Sequence, residues 1–334
     1  CRATSCGPLT SKYMTEALEK AVTEAGIPIV DNCRIIELIT RNSDSGRRVI
    51  GAVGYCAQAA DSPSGGLVVF SSTNIVWGVG GPSSVYATSV YPESQTCALG
   101  TAYLAGASGI NITESQYGIA SLKFRWNLSG SYQQVLPHYY STAPDGSDPC
   151  DFLSNAFSSP LEEQKAVFRK GYEWPFDPQK LNSGAHSSLV DLSVFCEAQK
   201  GRRVFMDFRS NHPSLTQLTP GTIGEEAYQY LSNSHSLQGT PVERLRAMNE
   251  QAYQLYLSHG IDLEKEPLEI GVCAQHCNGG LENSIWFESP TLAHFFPVGE
   301  AGGTFGIKRP GGSALNDTQV SSSRAAERIA AVYT

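Results

Sequence analysis

The chain is poor in charge and lacks both basic clusters and long apolar segments. Charged residues make up 17% of its 334 residues, and the formal net charge is −8. Because no run of lysine or arginine occurs, the composition argues against nucleic acid or an anionic membrane surface as a partner. No apolar stretch approaches the roughly 18 residues that a membrane-spanning helix needs. The composition therefore predicts a globular protein with room for two domains.

The cysteines lack the pairing that a disulfide framework needs. Their number, nine, is odd, and no close spacing repeats. The sequence therefore favours a reducing compartment and a cytoplasmic location. Because the chain begins with Cys1 rather than methionine, we expect it to be a fragment of a longer protein. The cysteines are Cys1, Cys6, Cys33, Cys56, Cys97, Cys150, Cys196, Cys273 and Cys277.

Hydrophobic periodicity predicts α/β structure at both ends of the chain and a different middle. In the middle, helix starts are indicated at Ser159, Thr222 and Thr240, each with a glutamate three residues later as in a capping box. This order predicts one domain interrupted by another. The predicted helices are 12–25, 94–106, 188–197 and 316–332, and the predicted strands are 27–30, 35–40, 48–56, 67–70, 74–77 and 203–208.

A glycine-rich turn, Gly78-Val79-Gly80-Gly81, follows the strand predicted at 74–77. The third glycine of a dinucleotide fingerprint is missing, and no acidic residue at a strand end about twenty residues further on completes it. No G-x-G-x-x-G occurs anywhere in the 334 residues. On local sequence alone, a tight turn between strand and helix is the favoured interpretation.

Cys273, His276 and Cys277 cluster within five residues. A structural zinc site needs four ligands, and no second pair lies at a suitable spacing, so we expect no metal here or elsewhere. His276 is instead a candidate polar site residue, because a double glycine follows at Gly279-Gly280 and lets the backbone approach a ligand closely. A turn between two strands, with a histidine satisfied by its neighbours, remains the alternative.

The C-terminal part combines an acidic residue, an arginine and a glycine loop before a helix. A strand-like run ends in Gly299-Glu300, and Arg309 opens a glycine-rich loop ahead of the last helix. Free backbone N–H groups and the helix dipole make such a start an anion site, where an arginine is unfavourable unless an anion is bound. Arg309 is therefore a candidate ligand contact, or else a solvent-facing arginine. Glu300 either accepts hydrogen bonds from ligand hydroxyls or is a loop residue.

Four segments in order resemble the flavoprotein family of succinate dehydrogenase, fumarate reductase and L-aspartate oxidase. Residues 76–86 are similar to the family's A-T-G-G-x-G-x-x-Y turn, and 275–280 to its H-x-x-M-G-G segment. Residues 298–300 match V-G-E, and 309–315 resemble the N-R-L-G-G-N-S-L loop. The resemblance implies an α/β, Rossmann-like FAD-binding domain interrupted by an α+β capping domain. The implied parts are 1–118 and 271–334 for FAD, and 119–270 for the cap.

The resemblance also implies a site and an activity. It implies an FAD-dependent oxidoreductase that transfers hydride through flavin N5, with a small-molecule substrate held between the two domains. Arg309 is implied as a substrate anchor, and His276 is our candidate for acid–base work because an unperturbed histidine titrates near neutral pH. The residues implied near the flavin are Gly80, Gly81, Gly299, Glu300, Gly311, Gly312, Ser313 and Leu315.

The chain departs from the family in its cofactor motif. The pyrophosphate-binding G-x-G-x-x-G of the family's first βαβ unit is missing, which makes the FAD-binding domain incomplete. We therefore expect FAD in the full-length protein but not in this chain.

The chain also departs from the family at its catalytic positions. The family's Q-x-H-P histidine falls at Gly118, the capping-domain arginine falls within 187–189, and the H-x-x-M-G-G histidine falls at Gln275. With Arg309 the one family cation in place, the substrate is expected not to be a dicarboxylate. The aromatics Tyr132, Tyr139, Tyr140 and Trp174 either line a less charged pocket or belong to the core.

Two other functions stay open at this point. One is a non-catalytic binding module or redox-inactive relative, and the other is a true fumarate reductase or succinate dehydrogenase. The sequence does not identify a redox partner.

Overall fold

The computed structural model describes residues 7–333 apart from 45, 83–84, 93–94, 96–97 and 182–185. Three of the cysteines, Cys1, Cys6 and Cys97, therefore lie outside the described residues. The helices are α1 (Thr10–Glu24), α2 (Leu99–Leu104), α3 (Ser131–Gln134), α4 (Pro160–Lys170), α5 (Ser187–Gln199), α6 (Pro220–Ile223), α7 (Glu225–Asn233), α8 (Pro241–Ser258) and α9 (Ser313–Val332). The strands are β1 (Cys33–Ser43), β2 (Gly46–Cys56), β3 (Leu67–Ser71), β4 (Ile75–Trp77), β5 (Gly109–Ile110), β6 (Ser115–Ser121), β7 (Trp126–Asn127), β8 (His138–Thr142), β9 (Arg203–Asp207), β10 (Leu268–Cys277), β11 (Gly280–Leu281) and β12 (Phe295–Pro297).

Two larger sheets and two short strand pairs organise these elements. Strands β1, β2 and β3 form an antiparallel meander near the N-terminus. Five strands in the order β7-β6-β10-β9-β8 form an antiparallel sheet in the middle of the chain. Strand β12 pairs in parallel with β4, and β11 pairs with β5, so each short pair joins the C-terminal part to the N-terminal part. The architecture is mixed α/β.

The apolar side chains form one main core and two smaller ones. The main cluster draws its buried members from between Ile119 and Ile270, and it joins the middle helices to the five-stranded sheet. A second cluster combines residues from Leu38 to Ala107 with residues from Leu281 to Ala301, so the two ends of the chain share a core. A third packs α9 against β12.

Two of the three helix starts predicted from capping signals are confirmed. The side chain of Ser159 accepts from the Glu162 amide at 3.3 Å, and Thr240 forms the capping box of α8 with Glu243. The start predicted at Thr222 is wrong. Thr222 lies inside the short helix α6, whose cap is Thr219, and α7 begins only after Gly224. Thr219, three residues upstream, is the N-cap residue of α6 instead.

The strand predicted over 27–30 is also wrong. These residues follow α1 as irregular backbone, and Ile27, Ile29 and Val30 are each more than half exposed. Pro28 has no amide hydrogen for a sheet ladder, and no described strand pairs with this segment. The helix predicted over 94–106 is shorter, Leu99–Leu104, and residues 94, 96 and 97 lie outside the described part.

The six described cysteines form no disulfide with one another. Cys273 and Cys277 are buried and Cys196 is exposed, with the other three in between. No described helix is both long and apolar enough to cross a membrane.

A fully buried ion pair lies between two cap helices. Lys170 at the end of α4 and Asp191 in α5 are 0% and 1% exposed, and the ammonium nitrogen lies 2.5 Å from the carboxylate. Burial raises the pKa of Asp191, and Lys170 opposes that shift. Each charge depends on the other, because an unpaired ion in an apolar interior is strongly destabilising.

We expect Lys170→Met to lower the free energy of unfolding by about 3–5 kcal/mol, since it leaves the Asp191 carboxylate buried alone. The loss should be smaller at about pH 5 than at about pH 8, because the raised pKa of Asp191 lets a neutral carboxyl form as the pH falls. Urea denaturation at both pH values measures this. Lys165→Met is the control, since its pair with Glu162 on the same helix is partly exposed and worth about 0–1 kcal/mol. Equal effects of the two substitutions would contradict the expectation.

Candidate functional site

Strands β6 and β10 carry the middle of the site. They pair in antiparallel register from Ile270 opposite Ser121 to Cys277 opposite Ser115, with an irregularity between Ala274 and His276. Both domain boundaries expected from the sequence, 118/119 and 270/271, fall within these two strands. The paired strands therefore run from the main core to the C-terminal part, and the site forms where β10 meets the turn after β12.

Glu300 is held by donors from three parts of the chain. It lies in the 3₁₀ turn Gly299–Ala301, directly after β12. Its Oε1 accepts from the Cys277 amide at 2.8 Å and from the Tyr91 hydroxyl, and the Gly81 amide also donates to the carboxylate. Burial raises the pKa of Glu300, while these donors oppose the shift. The carboxylate is thus fixed in place by the protein's own groups.

The two predicted turn glycines allow close approach. A Cβ on Gly81 would lie 2.8 Å from the carboxyl carbon of Glu300, so a side chain at 81 and this carboxylate exclude each other. Gly80 has a φ of +77°, and the Gln95 side chain fills the space beside it. Gln95 donates to the Gly81 carbonyl at 3.1 Å. This turn is therefore packed by side chains that the sequence motif did not indicate.

Arg309 is buried beside polar and aromatic groups. It is 6% exposed, and its Nε donates to Gln116 Oε1 at 3.1 Å while Gln116 Nε2 donates back to the Arg309 carbonyl at 3.0 Å. The guanidinium carbon lies 5.8 Å from the centre of the Trp174 ring. Arg309 forms no salt bridge with any described residue, and burial lowers its pKa although Glu300 opposes this. The prediction of a solvent-facing arginine is excluded.

His276 is buried and carries no charge at physiological pH. Its Nδ1 lies 3.2 Å from Asn278 Oδ1, and its buried Nε2 lies 3.8 Å from Glu300 without a hydrogen-bond partner among the described residues. Burial, and then Arg309, lower the pKa of His276 to about 3. The sequence argument from an unperturbed pKa therefore does not hold here. A group this weakly basic is a poor proton acceptor, so His276 is better suited to hydrogen bonding.

The glycine loop opens onto the start of α9. Gly312 has a φ of +77° and precedes Ser313, whose hydroxyl donates to the Pro310 carbonyl at 2.8 Å. Gly311 and Gly312 are exposed, Leu315 is half-buried, and no acidic side chain lies in the first turn. The Ser313 amide donates to the Pro310 carbonyl at 3.3 Å, and the N–H groups that follow it in the first turn are available to an anionic ligand.

The turn at Gly299 couples this helix to Glu300. The Gly299 amide donates to the buried Ser321 hydroxyl of α9 at 2.9 Å, and a Cβ on Gly299 would lie 3.2 Å from Thr318 Oγ1. The φ of Gly299 is +60°, which favours glycine. Gly299 is therefore constrained by its packing against Thr318 and Ser321 of α9.

Trp174 is a site residue that the sequence analysis placed only among the aromatics of the middle. A Cβ on Gly118 would lie 2.5 Å from its Nε1, so the indole occupies the space of a side chain at 118. That nitrogen is buried and without a hydrogen-bond partner among the described residues. A glycine inside a strand was the available signal, because it often marks close approach of another group. By contrast, Tyr132 and Tyr139 belong to the main core.

Two further site groups follow from the fold. Gln275 donates through Nε2 to the Gly118 carbonyl at 2.9 Å, and its buried Oε1 has no partner among the described residues. Tyr91, which the sequence did not indicate, joins Glu300 to the Cys277 amide. The structure therefore brings together Gly81, Glu300 and His276, with Arg309 close enough to affect the pKa of both titratable groups.

An apolar cavity of about 400 Å³ lies near this site but on another face. Its lining includes Tyr86, Tyr117, Phe176, Phe195 and Ala274. Tyr117 follows Gln116 along β6, and successive side chains of a strand point to opposite faces. The cavity and the Arg309 guanidinium therefore lie on opposite faces of β6.

Comparison with curated proteins gives two matches that bear on the chain. It is 26% identical over 321 residues to a subunit of the fumarate reductase (CoM/CoB) of Methanothermobacter marburgensis, and the match covers 96% of this chain and 48% of that protein. A second match is 38% identical over 92 residues to an uncharacterized FAD-dependent oxidoreductase of Methanocaldococcus jannaschii, covering 27% of this chain and 16% of that protein. No protein-family model matches.

A solved quinol–fumarate reductase shares the fold over 97% of this chain and 50% of its own, with a TM-score of 0.61 and 18% identity. The chain spans about half the length of the curated fumarate reductase protein that it matches. These matches, with the four motifs, support the chain as a divergent member of the succinate dehydrogenase and fumarate reductase flavoprotein family.

We expect His276 to stay neutral as the pH falls from about 8 to about 5, a range over which an ordinary histidine becomes protonated. Because the unfolded chain takes up that proton first, His276 lowers the free energy of unfolding as the pH falls from about 6.5. Arg309→Gln should raise the pKa of His276 by removing a nearby positive charge. Imidazole ¹⁵N shifts measure the pKa, with Arg324→Gln, at an exposed position of α9, as the control. A wild-type pKa above about 6 would contradict the expectation.

Proposed function

We propose that the protein is a flavin-dependent oxidoreductase whose substrate is not a dicarboxylate. Because the chain spans about half of its curated relative, the proposal concerns the whole protein. One observation carries it. Arg309 is a buried guanidinium without a salt bridge among the described residues, on the loop that leads into the open start of α9. A buried cation without a carboxylate partner is costly unless an anionic or carbonyl group binds there.

The residues of this region fit one edge of a flavin. A helix start without acidic side chains, preceded by Gly311 with open space where a Cβ would be, suits a group that develops negative charge. Gly312, Ser313 and Leu315 would hold that edge, with Gly80 and Gly81 in the neighbouring turn. FAD, when bound, supplies hydride acceptance or donation at N5. For the pyrophosphate, the 334 residues offer no G-x-G-x-x-G.

The chain's own residues would bind and orient the substrate. Arg309, positioned by Gln116 and backed by Trp174, anchors a carboxylate or polarises a carbonyl. His276 Nε2, Trp174 Nε1 and Gln275 Oε1, which have no partner among the described residues, offer hydrogen bonds. Glu300 accepts from the Tyr91 hydroxyl and the Cys277 amide through Oε1 and so holds both groups in place.

Among the described residues, Arg309 is a site cation without a salt bridge, and one such charge argues against a dicarboxylate. Trp174 fills the space beside Gly118, the position that the resemblance assigns to the family's histidine, and residues 187–189, to which it assigns the family's arginine, contain no arginine. The neighbouring Lys308 is paired with Asp177. A second carboxylate would lack such a cation, and each charge-assisted hydrogen bond that it fails to make costs roughly 1.5–3 kcal/mol of binding free energy. A substrate with one anionic or carbonyl group is therefore the better match.

We also propose the domain limits 1–118, 119–270 and 271–334. The main core lies entirely within 119–270, and the second core combines residues from both outer segments. A cytoplasmic location remains a prediction from the sequence. The redox partner is not identified.

We expect the protein as the cell makes it to purify with close to stoichiometric flavin, and the isolated 334-residue chain to bind no FAD in a fluorescence titration. The physical reason is that the described site offers groups for the flavin edge, while the pyrophosphate motif is missing from the sequence. A colourless whole protein that gains no flavin on refolding with FAD would favour the non-catalytic binding module.

We expect no fumarate-dependent oxidation of reduced viologen by the flavin-loaded protein, because the described site offers one cation for two carboxylates. Viologen absorbance measures the rate. Robust turnover that is lost in Arg309→Ala but kept in the exposed Arg324→Ala would show that the dicarboxylate argument is wrong. That result would leave the flavoprotein proposal intact.

A further inference from the structure

Four side chains of the middle domain converge away from the candidate site. His138 begins β8, Asp151 precedes the 3₁₀ turn Phe152–Asn155, Glu163 lies in the first turn of α4, and His212 follows β9. Ligand atoms of His138, Asp151 and His212 lie within 4.8 Å of one another. Glu163 Oε1 lies 3.7 Å from His212 Nε2, and His138 Nε2 lies 2.6 Å from Asp151 Oδ1.

His212 presents an unpartnered nitrogen to this cluster. The residue is 8% exposed, and its buried Nε2 has no hydrogen-bond partner among the described residues. Its Nδ1 lies 2.7 Å from the Ser214 hydroxyl and accepts from the Ser214 amide at 3.2 Å. Metal binding therefore requires the other tautomer, in which Nδ1 donates to the Ser214 hydroxyl and Nε2 directs a lone pair at the cluster. Metal-binding histidines are commonly oriented in this way by a partner on the other nitrogen.

The cluster has carboxylates but no permanent cation. Within the described part of the chain, neither Asp151 nor Glu163 forms a salt bridge with lysine or arginine. Two carboxylates facing two imidazoles thus lack positive charge, which a divalent ion supplies.

We propose that His138, Asp151, His212 and Glu163 bind a divalent transition-metal ion of the zinc type. Imidazole nitrogens and carboxylate oxygens are ligands that Zn²⁺ prefers, at about 2.0–2.2 Å. Binding requires the donors to move closer and His138 to exchange its hydrogen bond with Asp151 for the ion. The Asp151 side chain is 41% exposed, which leaves a path from solvent.

The ion would tie four separate segments of the middle domain together and so stabilise it. The sequence expectation of no metal was argued from Cys273 to Cys277. It could not detect ligands that only the sheet and α4 bring together.

The experiment is a Zn²⁺ titration of the chelator-treated 334-residue chain against a chromophoric competitor. We expect about one tightly bound Zn²⁺ per chain, a raised Tm, and a visible Co²⁺ spectrum of low-symmetry N/O coordination. His212→Asn should weaken binding by at least about tenfold, since the asparagine amide reaches only the Nδ1 position beside Ser214. None of these readouts requires flavin.

The matched control is His235→Asn, an exposed histidine whose φ of +55° asparagine tolerates. It should bind Zn²⁺ as the wild type does. If circular dichroism shows that His212→Asn does not fold, Asp151→Asn at the exposed edge of the cluster decides instead. Absence of Zn²⁺ binding in the wild type, or equal binding in the ligand variant and the control, would overturn the proposal.

Discussion

The antiparallel pairing of β6 with β10 is the constraint on which the site depends. It begins inside the main core and ends at Cys277, whose amide donates to Glu300. The pairing places Gln116 where it accepts from Arg309. It also places Gly118 where the absence of a side chain leaves room for the Trp174 indole. A shift of this register by one residue would turn these side chains to the other face.

Charge at the site is arranged by burial more than by ion pairing. Glu300 is held by hydroxyl and amide donors, Arg309 has no salt bridge among the described residues, and His276 is kept neutral. Such fixed dipoles, with Arg309 unpaired among the described residues, are the basis of our proposal that the substrate carries a single charge or a polar carbonyl. The start of α9, where we propose that the flavin edge binds, is tied to this arrangement through Gly299 and Ser321.

Local signals predicted much of the fold. The caps at Ser159 and Thr240 are as expected, because a side-chain cap is decided within four residues. The strand predicted at 27–30 is wrong because a strand needs a neighbouring strand to pair with, and no local sequence pattern shows whether one is present. In the site, the glycine turns and Arg309 were visible as motifs. Tyr91 and Trp174 were not, because their roles come from contacts distant in sequence.

The sequence by itself determined the family resemblance, the mixed α/β class and the glycine loop before α9, because motifs and periodicity are local. Only the tertiary structure decided that His276 is neutral and that Arg309 is buried, because both depend on desolvation and on charges from other segments. The same holds for His138 and His212, which lie on different elements of the middle domain. Proximity in space, which a one-dimensional pattern does not encode, sets their chemistry.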